Sequence, residues 1–391
     1  FSKRHFDKLS ENNSTFSFDL LFEGKPKEEF KPKIQKFFER IEIYCPYLKD
    51  YHFTIDTENT FPHSSGIASS ASGMAALAMN IMSLEKALSR NFGTAMTEDY
   101  FYQKASFLAR LGSGSACRSV KGSVVVWGNH VEINDSSDLF GVEFPSTIHA
   151  NFKNYQDTIL LVDKGEKQVS STVGHDLMHN HPFAEQRFAQ AHHNLSAIKT
   201  VLETGDLENF IKIVESEALT LHAMMMTSLP YFILMKPNTL EIINKIWKFR
   251  NETKTPVCFT LDAGANVHIL YPENVRENVL QFIKDELVGY CQNGNYICDE
   301  IGTGSINILD KAVQSKDETS RITSLDAINF RVREIAKLSA KTEKLSFSID
   351  GILIELSSPN PNIKNLHELM DTQLEALRKM ALSEILNLSV E

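Results

Sequence analysis

The sequence predicts a layered α/β or α+β fold. Short apolar or β-branched runs of strand length alternate with longer segments whose apolar residues recur at helical spacing. Glycine- and serine-rich stretches fall between them as turns. The chain has 391 residues, 42% of them hydrophobic, which predicts two or three domains or one large α/β unit.

Taken in order, FSFDLLF (16–22) alternates in part and reads as a strand, with GKPK as the turn after it. Residues 28–43 set Phe30, Ile34, Phe37, Phe38 and Ile41 on one stripe, which predicts an amphipathic helix. HFTIDTENTF (52–61) reads as a strand ending in a polar loop. From Ser69 the chain turns rich in Ala and Met, so a helix there could pack closely on a sheet. GSVVVWG (122–128) and TILLVD (158–163) read as buried strands. Residues 183–204, 207–228 and 239–250 read as helices. VCFTLDAG (257–264) is a strand running into a glycine turn, NVHILYP (266–272) a strand leaving it, and 274–290 an amphipathic helix. After about residue 305 the character changes. Residues 314–343 read as polar helix, KLSFSIDGILIELS (344–357) as a hairpin turning at Asp350-Gly351, and 363–388 as a last amphipathic helix. No internal repeat or low-complexity tract stands out.

Charge and cysteine content exclude several classes. Forty Lys+Arg against 50 Asp+Glu give a net charge of −10, which argues against broad binding to nucleic acid or to an anionic membrane. A local basic pocket for a small anion remains open. The five cysteines form no CxxC pair, so neither a disulfide framework nor a zinc ribbon is indicated. No apolar run is long enough to span a bilayer. The opening FSKRHFDKLSENN is polar, with no secretory signal, and a reducing cytoplasm is the expected compartment.

Three segments could carry chemistry. The first, Pro62 to Gly73 (PHSSGIASSASG), lies between a strand and a helix. Small residues let backbone approach a ligand, and a helix start offers free N–H groups and a positive dipole end. Ser69 and Ser70 add hydroxyls. The segment can cradle phosphate, although no GK[ST] is present. The plainer reading is a tight turn with a serine N-cap. The second, ARLGSGSACRS (109–119), is small and hydroxyl-rich, with Arg110 and Arg118 close by. A guanidinium binds carboxylate or phosphate in a planar fork. The plainer reading is a solvated, flexible loop. The third, LDAGAN (261–266), puts Asp262 at a strand end before a glycine turn, where a carboxylate can orient or deprotonate a hydroxyl. Asp before Gly also often only makes a turn.

Two further segments carry candidate ligand groups. KQVSST (167–172) sets a cation among hydroxyls, suited to phosphate. HDLMHNH contains His175, His179 and His181, and its i,i+4 pair could bind a metal on a helix. No Glu stands at the HExxH position, so it reads as a capped polar helix start and no metal ligand is assigned. His192 and His193 read as surface residues.

Together these segments resemble the GHMP kinase superfamily, and more narrowly its diphosphomevalonate decarboxylase family. SSGIASSASG resembles the family's phosphate loop, ARLGSGSACRS a signature of the decarboxylase branch, KQVSST with Gly174 its substrate-side segment, and LDAGAN its catalytic-aspartate motif. The resemblance runs from about residue 10 to about residue 305. It implies an α+β GHMP kinase fold: a ribosomal-protein-S5-like N-terminal domain (1–177), a ferredoxin-like C-terminal domain (178–304), and an extra, mostly helical tail (305–391). It implies ATP-dependent decarboxylation of mevalonate 5-diphosphate to isopentenyl diphosphate, with ATP and Mg²⁺ as cofactors. Asp262 matches the aspartate that orients or deprotonates the 3-hydroxyl, and Arg118 the arginine that holds the carboxylate. Ser113, Ser115 and Ser171 match positions that contact the diphosphate. Gly66, Ala68, Ser69 and Ser70 match the loop around the ATP phosphates. Family members are often homodimers, which implies the same here.

The chain departs from the family twice. A family segment of the form SNIALVKYWGK has no counterpart, and residue 1 is Phe, so the start of the N-terminal domain is expected to be missing. The tail after Ser305 resembles nothing recognised. Two other readings therefore stand beside the decarboxylase: a GHMP small-molecule kinase or phosphomevalonate decarboxylase, and an inactive relative that acts as a binding protein.

Overall fold

The computed structural model describes residues 2–3, 16–61, 67–91, 96–163, 174 and 177–307. The chain divides into two compact units, Phe1–Ser305 and Ile306–Glu391. Apart from Ile306 and Asn307, the second unit lies outside the described residues. The helices and hairpin expected there lie outside with it.

The first sheet has the order β1-β4-β2-β3. Strands β2 (Ser17–Phe22) and β4 (Tyr51–Thr57) are parallel, with Phe18 opposite Phe53. Helix α1 (Lys31–Ile41) makes the crossover that parallel pairing requires. Its buried Ile34, Phe37, Phe38 and Ile41 lie in one core with Phe16, Leu20 and Phe53. β3 (Lys25–Pro26) folds back on β2, and β1 (Ser2–Lys3) pairs with β4 at its opposite edge. The turn falls at Glu23-Gly24 (φ 53° and 73°), one step before the expected GKPK turn, because two left-handed residues match the twist of a two-residue hairpin. Helices α2 (Ser69–Asn91) and α3 (Glu98–Gly112) complete this core through Met74, Ala78, Ile81, Phe101, Ala105 and Leu108.

GSVVVWG is not a buried strand of sheet length. Only β5 (Val125–Val126) pairs, with β6 (Val142–Glu143), and of its three valines only Val126 is buried.

The second sheet, β10-β7-β9-β8, is antiparallel throughout. It comprises β7 (Gln156–Leu160), β8 (Cys258–Thr260), β9 (Val267–Tyr271) and β10 (Tyr296–Glu300). Helices α4 (Ala184–Thr204), α5 (Leu207–Thr227) and α6 (Pro237–Thr253) fall between β7 and β8, and α7 (Arg276–Phe282) between β9 and β10. Counting its strands in chain order, the sheet reads fourth, first, third, second, the order of a ferredoxin-like βαββαβ unit. Strand β7 is therefore part of the second sheet. A boundary at 177/178 would cut it away from β9 and β10, its hydrogen-bonded neighbours. On one face of this sheet, Leu160, Phe259, Val267, Ile269 and Tyr271 pack with Ile242, Ile246, Val279, Phe282 and Ile283. On α5, Glu215 accepts from Arg250 (2.6 and 3.1 Å) and from Trp247 (2.9 Å), while Arg250 also donates to the Val257 carbonyl (2.8 Å). This network ties α5, α6 and the approach to β8 together.

Candidate functional site

At the first locus, α2 opens on Ser69 and Ser70, whose N–H groups have no acceptor within the helix. Ala68 precedes them in the left-handed region (φ 53°), a conformation that disfavours a side chain. A left-handed residue followed by helical ones turns successive N–H groups into one concavity, which suits an anion. The Ala68 carbonyl meanwhile accepts from Ala71 (2.8 Å) and Ser72 (3.3 Å), which fixes the turn. Gly66 lies outside the described residues.

The second locus is more ordered than its composition predicts. Helix α3, not anticipated from the sequence, leads into it. Thr97 caps the helix by accepting from the Tyr100 N–H (3.3 Å), and Glu98 and Asp99 occupy its first turn. Ser113 breaks the helix with extended backbone, and Gly114–Ser119 forms a 3₁₀ turn. This is no solvated loop: Ala116 and Cys117 are buried. Buried Ser106 staples the turn from behind, donating to the Cys117 carbonyl (2.8 Å) and accepting from the Gly141 N–H (2.9 Å). A Cβ on Gly141 would lie 2.7 Å from Val125 Cγ1 and 2.9 Å from the Cys117 carbonyl oxygen, so only glycine fits. Ser305 closes the far end of the turn, its N–H donating to Val120 O and its hydroxyl to Ser119 O (both 3.1 Å).

These two loci meet. The hydroxyls of Ser70 and Ser113 are 3.2 Å apart. Ser115 is half-buried and Arg118 exposed on the same turn. Arg110, the other arginine of the motif, is committed elsewhere: it donates to the Leu139 carbonyl (2.8 Å) and lies over Phe107.

The third locus follows β8. Asp262 is half-buried, and its carbonyl accepts from Gly264 (2.7 Å) in a tight turn and from His222 Nε2 on α5 (3.2 Å). Thr239 donates to the Ala265 carbonyl (2.7 Å), and Asn266 accepts from the Asp163 N–H (3.0 Å), so the whole LDAGAN segment is held by neighbouring elements. Burial holds the His222 pKa below the ordinary value against the pull of Asp262, which favours the neutral ring. His268, on β9, moves the other way. Burial lowers its pKa, but its hydrogen bond to Asp157 (2.8 Å) and the charges of Asp157, Asp262 and Asp299 outweigh that and raise it.

Ser171 and the rest of KQVSST lie outside the described residues, as does His175. His181 is buried, with Nδ1 accepting from Phe183 N (3.2 Å) and Nε2 3.1 Å from the Met224 carbonyl, so both ring nitrogens serve the backbone. His192 and His193 are exposed, and His192 stacks on buried His130. Sequence reasoning missed Ser106, His222 and Trp127. Nothing local marks the first two, since long-range packing alone gives them partners. Trp127 is one of only two tryptophans, which was its single available signal.

An anion cradle at a helix start beside a serine- and arginine-bearing turn, on an α+β frame with a ferredoxin-like second sheet, defines a protein of the GHMP kinase type. A family model described as the diphosphomevalonate decarboxylase-like N-terminal domain matches residues 8–138. A second, the mevalonate 5-diphosphate decarboxylase C-terminal domain, matches residues 158–339. The chain belongs to the diphosphomevalonate decarboxylase family. The second match begins within β7, in keeping with the sheet pairing, and it continues past 304, so the first part of the tail does have a family counterpart. Among curated relatives, a diphosphomevalonate decarboxylase of Ganoderma lucidum is 29% identical over 293 residues, covering 73% of this chain and 69% of that one. One from Aspergillus fumigatus is 28% identical, covering 68% and 66%. The phosphomevalonate decarboxylase of Haloferax volcanii is 26% identical, covering 65% and 71%. The chain thus spans about two thirds of the length of these relatives. Among solved structures, a mevalonate diphosphate decarboxylase from Legionella pneumophila superposes with a TM-score of 0.57 at 29% identity, covering 72% of this chain and 84% of that one. A structure described as MDDEF in complex with MVAPP, AMPPCP and magnesium gives 0.61 at 25%, covering 75% and 83%.

Proposed function

We propose that this chain carries out the ATP-dependent decarboxylation of mevalonate 5-diphosphate, giving isopentenyl diphosphate, ADP, phosphate and CO2 in isoprenoid biosynthesis. The observation that carries the reading is the Ser70–Ser113 contact, which sets the anion cradle of α2 against the turn bearing Arg118. A phosphate donor and an anionic acceptor held on those two segments would be neighbours. Family membership supplies the rest.

In this reading Gly66, Ala68, Ser69 and Ser70 surround the ATP phosphates, and Ser113, Ser115 and Ser171 take the diphosphate. Asp262 accepts the proton of the tertiary 3-hydroxyl as its oxygen attacks the γ-phosphorus, and ADP leaves. The C3–O bond then breaks with its electron pair on phosphate. The bond to the carboxyl carbon gives its pair to the new C=C, and CO2 departs. Arg118 holds the carboxylate in its planar fork until that bond breaks. Among the described residues no group of three His, Cys, Asp or Glu gathers as a metal cage. A Mg²⁺ arriving with ATP would be held at the phosphates beside Ser69 and Ser70 and would screen their negative charge. The acting form is read as a homodimer. A cytoplasmic location accords with five unpaired cysteines, and no helix among the described residues is long and apolar enough to cross a membrane.

Asp262→Asn tests the assignment. The amide retains size and turn geometry but cannot take the proton. Turnover should fall by about three orders of magnitude or more, in line with loss of a general base together with its orienting charge, while nucleotide affinity stays within a factor of about two, a change of under ~0.5 kcal/mol. Wild-type turnover in the variant would remove Asp262 from the chemistry.

A further inference from the structure

Trp127 directly follows the short strand β5 and lies against the turn that bears Arg118. The Arg118 guanidinium lies over its ring, 5.6 Å from the centroid. Among the described residues the guanidinium has this ring beside it and makes no hydrogen bond or ion pair. The indole itself is fixed at two points. Its N–H donates to the Asp138 carbonyl (3.0 Å), and Gly114 of the same 3₁₀ turn lies so close that a Cβ there would stand 3.1 Å from the ring. One ring therefore packs against the start of the turn and carries the charged group at its end. A planar cation on a π face keeps its edge N–H donors free for an anion.

We propose that Trp127 is the positioning residue for Arg118 and thereby sets the affinity for the substrate's carboxylate. This rests on the reading of Arg118 as the carboxylate-binding group. Without the ring, Arg118 would sample its rotamers freely and would have to be ordered by the substrate itself, which weakens binding without touching the nucleotide.

A double-mutant cycle decides it, run on the full chain with mevalonate 5-diphosphate as the titrant in calorimetry, beside steady-state kinetics. Trp127→Met fills the space without a π face, Trp127→Phe keeps a face, and Trp127→Leu is the second variant should Met fail to fold; thermal midpoints are recorded for each. Trp127→Met should raise the Kd for mevalonate 5-diphosphate about twofold to fivefold, the size of an exposed cation–π contact. It should leave KM for ATP unchanged, and Trp127→Phe should restore most of the loss. In an Arg118→Ala background the same Trp127 substitution should have no further effect. Equal losses in both backgrounds, or a parallel rise in KM for ATP, would mean that the ring only supports the fold, and would overturn the proposal while leaving the decarboxylase reading intact. Wild-type protein that neither binds nor turns over mevalonate 5-diphosphate would remove the decarboxylase reading and this inference with it.

Discussion

Asp262 and His222 show how much of this site is set one residue at a time. The carboxylate sits at the end of a three-residue strand, and its own backbone is held by a histidine from another helix. Since burial lowers the pKa of His222, the folded protein binds its proton less readily than the unfolded chain does. The stability this confers is full above about pH 6.5 and is lost as pH falls from there through the lowered folded value. His268 has the opposite sign: its pKa is raised, so its contribution is full below about pH 6.5 and is lost as pH rises through the raised value. Ring-proton titration of the folded protein by NMR should therefore show His222 titrating below the ordinary histidine range and His268 above it. The reverse order would contradict the hydrogen bonds assigned to both. The strand and glycine turn around Asp262 were legible in the sequence, because VCFT is an apolar run that ends at LDAGAN. His222 was not: it lies 40 positions away, and only the fold brings it to that carbonyl.

At the scale of elements, legibility followed hydrophobic period. Helices α1, α4, α5 and α6 and strands β2, β4, β8 and β9 carry clear patterns and fall where the sequence placed them. Strand β10 does not alternate. It is an edge strand whose last three residues, Cys298, Asp299 and Glu300, are exposed, and its place comes from pairing with β7. Helix α3 did leave a signal, since Thr97-Glu98-Asp99 is an N-terminal cap and Phe101, Ala105 and Leu108 share a face. The Gly- and Ser-rich GSGSACRS turn misled because small polar residues read as loop, whereas Ser106 and Gly141 reach it from outside and bury it. Gly141→Ala tests that staple. Its Cβ would meet Val125 and the Cys117 carbonyl, so the variant should lose about 1–3 kcal/mol, as overpacked sites do. Denaturant unfolding measures the loss. Unchanged stability would mean that the turn tolerates displacement and that its burial does not hold Arg118 in place.

At the scale of the whole molecule, two unlike sheets contribute to one reading. The first sheet and its helices carry the start of α2 and the turn bearing Arg118, and Asp262 follows β8 of the antiparallel second sheet. The expected division at 177/178 falls after TILLVD, which reads as a strand with nothing local to say which sheet it joins. Its pairing with β9 and β10 says so, and we place the division before β7. Product stoichiometry tests whether these segments work together as a decarboxylase. The purified chain would be incubated with ATP, Mg²⁺ and mevalonate 5-diphosphate, and ADP, inorganic phosphate and CO2 followed together. A decarboxylase releases all three in equal amounts. ADP formed without CO2, with the phosphate retained on the product, would contradict the decarboxylase reading and make the protein a small-molecule kinase.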